Sequence, residues 1–173
     1  MFHIKTTKEK IMKRYIGTKI VKMKPMNRAD YKALRGWILP EDENGADEGY
    51  LVEYTDGGKP NLEGYAGYVS WSPKEQADRA YREINGLTFG LAIEALKKGL
   101  KVARKGWNGK GMFVFLVPGS QFTVSRAPLN TIYPEGTPID YCPHIDMRTA
   151  DQKIVPWLAS QTDVLAEDWW IVA

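Results

Sequence analysis

Hydrophobic positions change period several times along the chain, and each change predicts an element. In Tyr15–Lys24 the apolar residues Ile16, Ile20, Val21 and Met23 lie among polar ones, which predicts a strand closed by Pro25. Asn27 is placed to cap a short helix over Arg28–Leu34, stopped by Gly36. Pro40–Gly49 is an acidic loop. Tyr50–Tyr54 and Tyr68–Trp71 read as a strand and its return, with Thr55-Asp56-Gly57-Gly58 as the turn signal and Asn61–Gly67 extending the tip. Ser72-Pro73-Lys74-Glu75 reads as a helix start, with Ser72 as N-cap, Pro73 in the first helical position and Glu75 completing a capping box. This helix is expected to run to Tyr81 or Glu83. Asn85-Gly86 breaks the chain and sets the expected domain boundary.

Beyond the break, Thr88 caps a helix whose Phe89, Ala92, Ile93 and Leu96 follow helical spacing, with Lys97 and Lys98 near its end and Gly99 stopping it. Leu100–Ala103 and Met112–Val117 read as neighbouring strands, joined by a loop rich in glycine. Gln121–Val124 is a further short strand. Ser125–Tyr141 holds three prolines and a glycine, has no clear period and is expected to be a long excursion. His144–Arg148 alternates as a strand, Thr149–Gln152 turns it, and Ile154–Leu158 returns, with Pro156 demanding an edge position or a bulge. Ser160–Ala166 is a short helix in which Ser160 and Asp163 form a capping pattern. Trp169–Val172 closes the chain as a strand with one tryptophan on each face. The fold class is therefore α+β, with small antiparallel sheets and a few short helices in two modules: a basic arm plus small α+β module over 1–85, and a second domain over 86–173.

Composition narrows this picture. The 173 residues suffice for one domain or two small ones. No apolar run approaches the roughly 20 residues of a membrane-spanning helix, and no apolar segment follows the basic N-terminus to make a signal peptide. The single cysteine, Cys142, excludes an internal disulfide, suits a cytoplasmic home, and is expected to be a free core thiol. Two histidines and one cysteine make no metal-ligand cluster. The net charge of +3 is unevenly spread: Lys5, Lys8, Lys10, Lys13, Arg14, Lys19, Lys22, Lys24 and Arg28 crowd the N-terminus with only Glu9 among them, and its aperiodic first stretch, to about Lys13, is expected to be frayed or a loose helix. Such an arm is one signature of nucleic-acid binding, but with Tyr15 as its sole interleaved aromatic it favours a solvated segment.

The chemistry concentrates between the two central strands, in Ala103-Arg104-Lys105-Gly106-Trp107-Asn108-Gly109-Lys110-Gly111-Met112. Glycines allow close approach, Arg104, Lys105 and Lys110 bring positive charge, Trp107 offers an aromatic face, and Asn108 both donates and accepts hydrogen bonds. Such a loop suits an anionic ligand carrying a ring. It equally suits a glycine-rich hairpin whose tryptophan folds back onto the core. The spacing matches neither a Walker A loop nor a dinucleotide fingerprint. Ser160-Gln161-Thr162 at a helix start offers N–H groups and hydroxyls to an anion, or plain capping. Asp163 and Asp168, five residues apart across a helix end, make an unpersuasive acid/base pair, and no motif gives His144 a nucleophile to activate. No catalytic residue, metal or cofactor is assigned.

The motif from Thr88 through Gly99, the stretch Val102–Met112, and Ile154-Val155-Pro156-Trp157-Leu158-Ala159-Ser160-Gln161-Thr162-Asp163 with Leu165-Ala166-Glu167-Asp168-Trp169 closely resemble the second Thoeris anti-defence family of bacteriophages, over Leu87–Ala173. The resemblance implies a non-enzymatic sponge acting in the infected host's cytoplasm. It would bind a cyclic ADP-ribose-type immune signal without cleaving it, with cyclic dinucleotides as further ligands of some members. It also implies a homotetramer with pockets at subunit interfaces, and no membrane partner. Taken with the residue types, it gives a ligand-binding set of Arg104, Trp107, Asn108, Lys110, Met112, Trp157, Ser160, Gln161, Thr162 and Asp163. The alternative is a phage accessory protein that binds nucleic acid or serves a structural role.

Overall fold

The computed structural model describes residues 15–173; the expected frayed arm, with Lys5 to Arg14 of the basic cluster, lies outside them, while Lys19, Lys22 and Arg28 of the same cluster pair with Asp56, Glu53 and Asp47. The chain divides into two compact units, the first ending at Ala77 and the second spanning Asp78–Ala173.

In the first unit, β1 (Val21–Pro25), β2 (Gly49–Tyr54) and β3 (Tyr68–Pro73) form an antiparallel sheet in that order. Helix α1 (Arg28–Leu34) starts where the Asp30 N–H donates to Asn27 Oδ1 at 2.7 Å, and Gly36, at φ +66°, ends it. Tyr31, Leu51 and Val69 form the core, with Tyr65 and Trp71 against them. The acidic loop is latched to α1, since the Arg28 guanidinium lies 3.0 Å from Asp47 and 3.4 Å from Glu43. One local expectation fails. Ser72 does not cap a helix: it pairs with Tyr50 in the β2–β3 ladder, its hydroxyl points to the Pro73 carbonyl at 3.5 Å, and α2 runs Lys74–Ala80. The ladder continues to Gly49 opposite Pro73, so sheet pairing claims the residues that the local signal assigns to a cap. The Lys74 N–H, at the helix start, donates instead to the Glu48 carbonyl at 3.0 Å.

The second unit is a five-stranded antiparallel sheet in the order β10 (Trp169–Val172), β4 (Lys101–Arg104), β5 (Phe113–Val117), β8 (His144–Arg148), β9 (Ile154–Pro156). Helix α3 (Phe89–Lys97), capped by Thr88, packs against β4, β5 and β10. Val102 pairs with Val114, and Val114 with Met147, so strand alternation delivers all three to one face, where they meet Ala92, Leu96 and Trp169. The two edges are finished differently. Along β10, the Ile84 carbonyl accepts from the Ile171 N–H at 2.9 Å and Leu87 exchanges hydrogen bonds with Trp169, so the segment before α3 covers that edge. On β9, Trp157 N–H donates to the Ile145 carbonyl at 2.9 Å. This register turns Pro156, which has no N–H to offer, toward the open side.

The excursion is more regular than its composition suggests. After β6 (Ser120–Thr123), a single 3-10 turn at Leu129–Thr131 leads to β7 (Pro138–Tyr141), which pairs with β6 as a separate hairpin. Proline at the first residue of β7 hides the strand from a periodicity reading. Cys142 is exposed rather than a core thiol, because it falls in the short connection between β7 and β8.

Candidate functional site

Strand β4 ends at Arg104, which lies opposite Trp169 in the β4–β10 ladder, and this pairing brings Asp168 beside the start of the glycine loop. Arg104 Nε donates to Asp168 Oδ1 and Nη1 to Asp163 Oδ1, both at 2.8 Å. The backbone N–H of Gly106 donates to Asp168 Oδ2 at 2.8 Å, and that of Lys105 to the Asp168 carbonyl at 3.2 Å. A Cβ on Gly106 would stand 3.0 Å from that carboxylate, so the close approach is one that glycine makes easy. The loop then turns Trp107 inward, and its indole N–H donates to Asp163 Oδ1 at 3.2 Å.

The other side of the arrangement is α4 (Gln161–Val164). Ser160 and Asp163 close a reciprocal capping box: Ser160 N–H and Oγ–H reach Asp163 Oδ2 at 3.0 and 2.6 Å, and the Asp163 N–H reaches Ser160 Oγ at 3.2 Å. The Asp163 carbonyl accepts from the indole of Trp169 at 3.0 Å. Asp163 is thus 7% exposed, with its carboxylate shared among a hydroxyl, an indole, a backbone amide and a guanidinium. Burial by itself would raise its pKa; the hydrogen bonds from Ser160, Arg104 and Trp107 outweigh burial and hold it at about 2. Hydrogen bonding to Arg104 likewise lowers Asp168, and the two carboxylates raise Arg104 in return. One guanidinium between two carboxylates carries no surplus positive charge.

Four aromatic rings support this polar cluster. Trp107 meets Trp169 edge-on at 5.4 Å between ring centres and Trp157 at 6.2 Å, while Phe89 leans on Trp157 and Trp169 at 6.3 and 5.6 Å. Trp107 and Trp157 remain half-exposed; Trp169 is fully buried. Met112 packs at the edge of the same core, and a Cβ on Gly109 would fall 2.3 Å from its sulfur and 2.9 Å from Ala150.

The structure therefore joins Arg104, Trp107, Trp157, Ser160 and Asp163 in one network. It leaves Asn108 and Lys110 exposed beyond Trp107, and Gln161 and Thr162 exposed beside Asp163. The N–H groups of Ser160 and Asp163 are engaged in the capping box, which limits the anion-binding capacity expected of that helix start. Asp168, which the sequence offered only as an unpersuasive acid/base partner of Asp163 and left out of the binding set, is the main further participant. Nothing in its five-residue offset from Asp163 signals convergence, because the convergence arises from strand pairing with β4. Among the described residues, no group of three or more His, Cys, Asp or Glu is arranged to hold a metal ion.

Residues 87–172 match a family model described as Tad2-like, the Thoeris anti-defense 2-like domain. Over 87 residues the chain is 46% identical to Thoeris anti-defense 2 of Bacillus phage SP01, which covers 50% of this chain and 96% of that protein. The matched stretch contains α3, the whole five-stranded sheet, the glycine loop and both carboxylates that grip Arg104. The clamp and its tryptophans are thus part of a domain shared nearly end to end with the phage relative, and through that domain the chain belongs to the Thoeris anti-defense 2-like family.

Proposed function

We propose that this chain is a sponge that binds a cyclic nucleotide immune signal of the cyclic ADP-ribose type and holds it intact. Membership of an anti-defence family supports a role in phage anti-defence, and the 46% identity to Thoeris anti-defense 2 over 96% of that protein is the observation that carries the reading. The domain over 86–173 is the ligand-binding one. Trp107 and Trp157 supply half-exposed aromatic surface for a base. Asn108, Lys110, Gln161 and Thr162 supply exposed donors and acceptors beside it. Arg104, Ser160, Asp163 and Met112 act chiefly by fixing the frame on which these groups stand. Sequestration requires affinity and a rigid pocket; it does not require a base, a nucleophile or turnover. Cyclic dinucleotides are the next ligand class, and a homotetramer the assembly.

The test is native mass spectrometry of the protein incubated with cyclic ADP-ribose isomers and with cyclic dinucleotides, followed by heat release and chromatography of the bound compound. The expected outcome is a tetramer that retains one of the isomers and releases it unmodified. A linear product in molar excess over protein would overturn the proposal and make the protein an enzyme.

A further inference from the structure

Arg104, the arginine of the glycine loop, is neutralised by two carboxylates. Beside the exposed Lys105 and Lys110 of the loop, a free guanidinium to meet a phosphate must therefore come from elsewhere. Across the described residues of the second unit, Arg148 stands out. It lies on the sheet face opposite Met147 and pairs with Phe113 in the β5–β8 ladder. Its Nη1 donates to the Gly111 carbonyl at 2.9 Å, and its guanidinium carbon stands 5.8 Å from the centre of the Phe113 ring. Gly111 takes φ +72°, a left-handed conformation that favours glycine, so the carbonyl that receives Arg148 is presented by a glycine turn. No carboxylate among the described residues pairs with Arg148. Its guanidinium is thus oriented by one hydrogen bond and one ring, keeps its full charge, and is anchored at the end of the loop that carries Lys110. Arginine in this state presents a planar fork suited to two phosphate oxygens.

We propose that Arg148, rather than Arg104, is the residue that binds phosphate in this protein, reaching an anionic ligand held at the glycine loop. The assignment rests on the reading that the loop end of the second unit holds a nucleotide. The test uses the full chain with arginine side-chain nitrogens labelled for NMR, and inorganic pyrophosphate as the probe. The Arg148 Nε–Hε signal, identified by its loss in Arg148→Gln, is expected to move saturably, while that of the exposed Arg126 stays fixed. Calorimetry with cyclic ADP-ribose isomers is expected to show roughly tenfold or greater loss of affinity in Arg148→Gln, and little change in the charge-matched control Arg126→Gln. An unmoved Arg148 signal overturns the assignment, as does equal affinity in the two variants. If pyrophosphate moves Arg148 but no cyclic nucleotide binds the wild-type protein, the anion site stands and the sequestration reading falls.

Discussion

Asp163 serves several donors at once, and its removal would strand all of them. With Asp163→Ala, the Trp107 indole and one side of Arg104 lose their acceptor in a partly buried setting, and the Ser160 N–H and hydroxyl lose the carboxylate half of the capping box, while the Asp163 backbone N–H keeps its bond to Ser160 Oγ. The expected cost is about 3 kcal/mol or more, read by denaturant unfolding. The same residue predicts a pH dependence. Its folded pKa of about 2 lies below the ordinary value of 3.8, so the folded state favours the ionised form. The resulting contribution, about 2 kcal/mol, is present above pH 4 and is lost as pH falls toward 2. Stability measured between pH 5 and pH 2 should therefore fall less steeply in Asp163→Asn than in the wild type, and an unchanged slope would rule out this residue as the source. At this scale the capping box was legible, because Ser160 and Asp163 are three residues apart in one turn. The pairing of Arg104 with Asp168, 64 residues away, was not.

The glycine loop is the element in which the two expectations for Trp107 meet. The indole folds back onto the core, as a plain hairpin requires, and keeps part of its surface exposed, which is the surface the proposed ligand would use. The loop keeps this position because Gly106 and Gly109 let backbone pass within reach of Asp168, Met112 and Ala150. Gly109→Ala should force either the loop or the turn at Ala150 to move, at a cost of about 1–3 kcal/mol, with a parallel change in Trp107 fluorescence. An unchanged melting temperature would mean that the loop is free to relax. Other elements show the same division between local and remote causes. Asn27, Thr88 and Ser160 were legible as caps because each cap is decided within one turn of chain. Ser72 carried the same signal, and β2 overruled it by extending the ladder to Pro73.

On the scale of the whole molecule, the two units divide between Ala77 and Asp78, whereas the turn signal at Asn85-Gly86 lies several residues later. The intervening segment is structural. Its Ile84 carbonyl is the acceptor for Ile171 on the otherwise open edge of β10. We expect a fragment spanning Asp78–Ala173 to fold and melt cooperatively. One starting at Gly86 should be less stable by about 1 kcal/mol, the worth of the lost edge hydrogen bond. Circular dichroism melting of both fragments checks this; equal melting temperatures would place the useful boundary at Asn85-Gly86 after all.

By itself the sequence determined what local chemistry decides: the three side-chain caps, the glycine-rich loop between two strands, the restriction of Pro156 to an edge or a bulge, the α+β class and the family resemblance over Leu87–Ala173. Each follows from residues near one another in the chain, where the backbone's hydrogen-bonding needs are met within a turn or an alternation. Only the tertiary structure decided which distant groups share a charge. Strand pairing placed Asp168 on Arg104 and withdrew that guanidinium from solvent, while the neighbouring ladder set Arg148 over Phe113 with no carboxylate beside it. Residue type alone makes the two arginines equivalent. Their difference is electrostatic, and it exists only once β10 lies against β4 and β8 against β5.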